Sequence, residues 1–299
     1  MAATAKRTGA MAAAALLFGL ATSAQAASLS LEAGPRHLAR LDEARWQLVE
    51  EAVFSCRLEH SVPVLGRAVF ETRAGGRQRF HVEGPVPAGE EDIAEPLVVS
   101  TEAPPWAAPS PPVRLVSVAE ELVLDAAASQ RLLEGLYRGR LVVLQRPPRL
   151  HAALSPAGFR PAYRGYQSCL EKLLPVSHEQ VAHSRILFAS GQWELDDAAR
   201  KRLDLVVRYV LEDDRVKRIR VAGHADGVGR QLHNLELSRR RAKAVADYLV
   251  QQGVDAERIH RSHHAHLKPA VAGNTASARD QNRRVSVRLE GGPGADQGV

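Results

Sequence analysis

The chain has 299 residues, 45% of them hydrophobic and 5% aromatic, with a formal net charge of +6. That length accommodates one to three domains with real cores, and the positive balance suits an anionic partner. Sparse aromatics argue against a protein that stacks nucleic-acid bases, and no later apolar run is long enough to be a membrane helix.

In chain order, Lys6 and Arg7 precede an apolar run from Met11 to Leu20, followed by Ala24-Gln25-Ala26. Charged start, short apolar middle and small-residue site are the order of a secretory signal, so residues 1–26 are expected to be removed. An uncleaved anchor is the alternative, but the run is too short to span a bilayer. No Cys follows the cleavage site to carry a lipid. Export places the mature chain in the periplasm, away from nucleic acid. Of two cysteines, Cys56 and Cys169, an exported protein is expected to make one disulfide, with two buried thiols as the alternative. The bridge would tie everything between them into one unit and contribute up to about 4.7 kcal/mol on the chain-entropy account.

Residues 27–175 read as β-rich. Short runs at 45–60, 66–73, 77–84, 113–125 and 139–146 alternate apolar and polar residues, with Gly- and Pro-rich turns between them. Residues 125–139 fit a helix ending at Gly139. The runs are too short and too charged for a transmembrane barrel, so a non-spanning, mostly-β domain is expected.

From about residue 178 strands and helices alternate. Strands are expected at 184–191, 216–225, 257–265 and 282–291. A helix over 195–213 carries Leu203, Val206, Val207 and Val210 on one face, a second starts at Asn234, and a short one lies near Ser277. The order β-α-β-α-β-α-β over 178–290 predicts an α/β sandwich. Residues 291–299 bury nothing and are expected to be disordered.

The second of these helices carries Arg239, Arg240, Arg241 and Lys243 near its expected start, where cations oppose the helix dipole. Ala242, Val245, Ala246, Leu249 and Val250 form its apolar stripe. Arg241 falls about 40° from Val245 on the helical wheel, a half-buried position, whereas Arg239, Arg240 and Lys243 read as a solvated face. Asp226, at the end of the preceding strand, would converge with Arg241. Either they form an internal salt bridge, or they take the ammonium and the carboxylate of a zwitterionic ligand.

Asn234, Leu237, Ser238, Arg241, Ala242, Val245 and Leu249 fit the pattern N-x2-L-S-x2-R-A-x2-V-x3-L, between "GHADGVG" and "NRRV". This stretch resembles the OmpA-like peptidoglycan-binding domain. The resemblance implies a ligand, the diaminopimelate of the peptide stem, held by Asp226 and Arg241 with accessory contacts from Asn234, Asn282, Arg283 and Arg284. It also answers the charge at the helix start: the carboxylate arrives there, beside the helix-start amides. The chain departs from the family at Ala225, where Thr or Ser is usual, at "SHHAHLKP", which replaces a G-Y-G stretch, and at Ala278, where Gly is usual.

In the first half, "RWQL", "FSCRLEHSVPVLGRAVF", "APPW", "LLEGLYRGR" and "LSPAGFRPAYRGYQSCLEKLLP" resemble the MotY family of periplasmic flagellar T-ring proteins, whose cysteine pair falls on Cys56 and Cys169. This resemblance implies a component that is not an enzyme and uses no cofactor. Its β-domain would dock on the flagellar basal body and a MotX-like T-ring partner, and its second domain would hold the wall, to help position the stator complex. One rival is a general envelope anchor with an unrelated first domain. The other is a metal site at His260, His263, His264 and His266. On a strand His264 and His266 would share a face with His263 opposite, and a surface cluster is the preferred reading.

Overall fold

The computed structural model describes residues 37–38, 45–63, 65–84, 98–102, 113–114, 116–118, 121–146 and 150–293. The expected signal segment and the last residues of the expected disordered tail, 294–299, lie outside them.

Among the described residues the first half holds eleven strands: β1 (His37–Leu38), β2 (Trp46–Glu51), β3 (Ser55–Val62), β4 (Gly66–Arg73), β5 (Arg79–Glu83), β6 (Val98–Glu102), β7 (Val113–Arg114), β8 (Val116–Val118), β9 (Glu121–Leu124), β10 (Leu141–Arg146) and β11 (Leu150–Leu154). They form two sheets, in the orders β2-β3-β4-β5-β9-β8 and β1-β11-β10-β6-β7. Helix α1 (Ala126–Tyr137) starts at Asp125, whose carboxylate accepts from the Ala128 amide at 2.8 Å. It stops before Gly139, which takes a positive φ of 81°.

Helix α2 (Phe159–Lys172) packs on β2 and β3. Phe159, Tyr166 and Cys169 enter the core beside Trp46, Leu58 and Phe70. Trp46 seats its indole N–H on the Ser155 carbonyl at 2.8 Å, which removes the cost of burying that donor. Cys56 on β3 and Cys169 on α2 form a disulfide, as the sequence led us to expect, with both residues fully buried.

The second half runs α3 (His178–Val181), β12 (His183–Leu187), α4 (Asp197–Glu212), β13 (Val216–Gly223), α5 (Gln231–Gln251), a 3₁₀ turn Ala256–Arg258, β14 (Ile259–His263), α6 (Ala276–Asn282) and β15 (Arg284–Gly291). The sheet order is β12-β15-β13-β14. β15 runs antiparallel to both neighbours, whereas β13 and β14 are parallel and joined through α5, the crossover that parallel pairing requires. This is the α/β architecture expected from the order of elements. The stripe on α4 is buried as expected; on α5, Val250 is instead 44% exposed.

Helix α5 starts three residues earlier than the sequence pattern suggested. Arg239–Arg241 therefore sit in its third turn, about 12–15 Å from its first residue. The dipole conflict disappears, and so does the idea that helix-start amides assist Arg241. Glu236 instead accepts from both Arg239 and Arg240, at 2.8 and 2.9 Å. The histidine strand ends at His263, so the alternation expected to pair His264 with His266 does not extend that far.

Two hairpin ends from the first half enter the second core. Ala74 is buried with Leu174, Val176 and Tyr209, and Val53 and Phe54 pack against the same cluster. Phe54 meets the Tyr209 ring edge-on at 5.9 Å, and the Gly75 amide donates to the Leu174 carbonyl at 3.1 Å.

Candidate ligand-binding site

The site lies at one end of the four-stranded sheet, where the loops after β12 and β13 meet α5 and the start of β15. Its floor depends on close contact between β13 and α5. A side-chain carbon on Gly223 would stand 2.0 Å from the Ser238 carbonyl oxygen, so only glycine lets the helix sit directly on the strand. Ser238 Oγ accepts from the Ala265 amide at 3.2 Å, fixing the turn after β14 to the same place.

Arg241 projects from α5 into this floor and is 0% exposed, deeper than the half-buried position expected. Nε donates to the Gln192 carbonyl at 2.8 Å, Nη1 to that of His224 at 3.0 Å and Nη2 to that of Ala189 at 3.1 Å. Its guanidinium carbon lies 5.2 Å from the Phe188 ring centroid, a cation–π contact. Burial lowers its pKa to about 10; Arg283 also lowers it and Asp226 raises it. Arg241 is therefore charged at neutral pH, with one N–H left on each terminal nitrogen.

Asp226 stands on the β13–α5 loop, three residues past the strand end. Its ion-pair partner is Arg283, at 3.1 Å, rather than Arg241. The two side chains are 12% and 14% exposed and form the open edge of the site. Arg283 also donates to the Phe188 carbonyl at 3.1 Å and pairs with Asp280. Asn234 holds the Asp226 loop in shape, donating to the carbonyls of Asp226 at 3.1 Å and Val228 at 3.0 Å.

The remaining expected residues serve the β14–α6 loop. Asn282 accepts from the amides of Ala270 and Val271, at 2.7 and 3.1 Å. Arg284 donates from Nη2 to the Lys268 carbonyl at 3.1 Å, while its Nη1 is buried with no partner among the described residues. The structure thus gathers Asp226, Asn234, Arg241 and Arg283 around one point, and sets Asn282 and Arg284 behind them. Phe188, Ala189, Gln192 and His224 were not singled out from sequence. All four act through backbone carbonyls, which carry no residue signature.

His224 is buried against His264, with ring centroids 5.3 Å apart. Burial first, then the nearby charges of Arg284, His264 and Lys268, push its pKa down to about 4. In the unfolded chain it takes a proton near pH 6.5. Its neutral form therefore contributes stability that is complete above about pH 6.5 and is lost as pH falls towards about 4. Thermal unfolding of His224→Gln and the parent at pH 7 and pH 4.5 should show a smaller acid-induced drop in the variant; equal drops would count against this account. Among the described residues, no group of three or more His, Cys, Asp or Glu side chains is placed to hold a metal ion.

Asp226 and Arg283 are the partly exposed charges of this arrangement, whereas Arg241 is enclosed beside them with no exposed surface. Comparison with known proteins identifies the two halves of the chain. Residues 37–175 match the MotY N-terminal domain, and residues 187–283 match the OmpA family. The sodium-type flagellar protein MotY of Vibrio parahaemolyticus is 25% identical over 268 residues, covering 86% of this chain and 90% of that protein. Outer membrane protein A of Bordetella avium is 32% identical over 121 residues, 40% of this chain and 62% of that one. The peptidoglycan-associated lipoprotein of Rhizobium meliloti is 33% identical over 111 residues, 37% of this chain and 62% of that one. The chain joins a MotY N-terminal domain, over residues 37–175, to an OmpA-family domain over residues 187–283.

Proposed function

We propose that this chain is a periplasmic flagellar-motor component that binds peptidoglycan and docks on the basal body. The C-terminal domain would take the diaminopimelate of a stem peptide. Asp226 would exchange its Arg283 partner for the ligand ammonium, while Arg241, with Arg283 released beside it, would meet the carboxylate. Asn234 would keep the Asp226 loop in place, and Asn282 and Arg284 would hold the loop behind. The first domain would engage a MotX-like T-ring partner and the basal body, and so help position the stator complex without catalysis. The observation that carries this reading is the similarity to the Vibrio flagellar protein across both domains at once. It also disfavours a general envelope anchor with an unrelated first domain.

Asp226→Asn separates binding from folding. Arg283 keeps Asp280 and the Phe188 carbonyl, so the melting temperature should shift little. Retention on purified peptidoglycan should fall about tenfold or more, as expected where a charged hydrogen bond worth about 1.5–3 kcal/mol is lost. Undiminished sedimentation would refute the site. For the motor role, the full-length protein should cluster at the flagellar pole, and lose that clustering in cells lacking basal bodies. Clustering that survives without them would refute docking.

A further inference from the structure

A cavity of about 590 Å³ lies between α5 and β14, lined by Arg239, Arg240, Lys243, His260, Arg261 and His263 over a small floor of Ala242 and Ile259. Among the described residues no carboxylate lines it. Glu236 is shared by Arg239 and Arg240, and Asp247 pairs with Lys243. Among the described residues no carboxylate pairs with Arg261, so the groove keeps a positive balance. Because β14 is the edge of its sheet, the groove opens to solvent along one side. An edge strand carrying exposed Arg and His side chains resists pairing with a further strand. The groove therefore suits a flexible anion better than a β-partner.

The groove is joined to the candidate site by direct contacts. Arg241 holds the Gln192 carbonyl from within. The next residue, Trp193, lies under the Arg240 guanidinium at 4.9 Å, and Arg240 lines the groove. A polymer engaged at Asp226 would meet this ridge as it leaves. Peptidoglycan stem peptides carry more carboxylates than amines, so the chain leaving the site is anionic.

We propose that the basic groove between α5 and β14 is a second wall-contact subsite, which takes the carboxylates of a stem peptide neighbouring the one held at Asp226. This rests on the peptidoglycan reading above, and the experiment tells the two apart. Full-length protein and the double variant Lys243→Glu/Arg261→Glu would be compared for retention on purified sacculi and for binding of a soluble single-stem muropeptide. Both substituted residues face solvent, so folding should be preserved. At about 50 mM salt the double variant should lose about tenfold in sacculus retention and less than twofold in muropeptide binding. Near 0.5 M salt, where exposed charges are screened within a few ångströms, the two proteins should converge. Unchanged sacculus retention overturns the subsite. So does an equal loss for the muropeptide, which would make the groove part of the first site. So would intact wall retention with lost capture of basal bodies, which would make the groove a protein-docking surface. If the parent binds neither sacculi nor muropeptide, the underlying wall reading fails with it.

Discussion

Arg241→Ala is expected to unfold the C-terminal domain at a much lower temperature, in addition to abolishing wall binding. The guanidinium is a structural tie as well as a candidate ligand contact. It donates to carbonyls of both the β12–α4 and β13–α5 loops. Removing it leaves the buried His224 carbonyl unpartnered, at about 1–3 kcal/mol where water cannot reach, frees the part-buried carbonyls of Ala189 and Gln192, and empties the space beside Phe188. Relief from burying a charge offsets part of this. A net loss of about 3 kcal/mol is a large share of the 5–15 kcal/mol that roughly holds a domain together, and corresponds to about 10 °C in melting temperature. Circular dichroism melts of Arg241→Ala and Asp226→Asn should therefore part company: both lose wall binding, and only the first loses stability. An Arg241→Ala protein melting with the parent would show that the carbonyl contacts contribute little. Because this arginine ties two loops together as well as being the proposed ligand contact, a binding assay on this variant alone would not separate the two roles.

Where function and packing use the same local pattern, the sequence was legible. Leu203, Val206, Val207 and Val210 recur at helical spacing and all reach the core. Asp125 and Gly139 bracket α1 because capping chemistry is local. Helix α2 went unread although Phe159, Tyr163, Tyr166 and Leu170, spaced by four and three, form its inner face; Pro161 and Gly165 disguise it. The site was half legible. Asp226 and Arg241 stand out as charged residues at a strand–helix junction. The pairing of Asp226 with Arg283, 57 residues away, depends on how β15 returns between β12 and β13, which spacing does not encode. The same holds for Ala74 and Phe54, which come from the first half and pack in the second core.

Loss of the disulfide should be the largest effect in the first domain. Cys56 and Cys169 are separated by 113 positions, so the bridge restricts the unfolded chain severely. Chain entropy alone assigns about 4.7 kcal/mol to a loop of about a hundred residues, and removing native bridges typically costs about 2–5 kcal/mol. Position adds to this. Cys169 is fully buried on α2, and Cys56 sits on β3 between β2 and β4, so the bond clamps the helix to the sheet through the middle of the core. Cys56→Ser would also place a hydroxyl where no water reaches, adding a desolvation cost. Cys56→Ala with Cys169→Ala avoids that hydroxyl and isolates the cross-link. Both proteins should melt well below the parent, the serine variant lowest, and reductant should lower the parent's melting temperature while leaving the double alanine variant unmoved. In the cell the serine variant should be present at severalfold lower steady-state level, since a stability loss of about 1–2 kcal/mol already changes abundance by that much. Normal abundance together with parental melting would mean that the sheet–helix packing holds this domain without the bond.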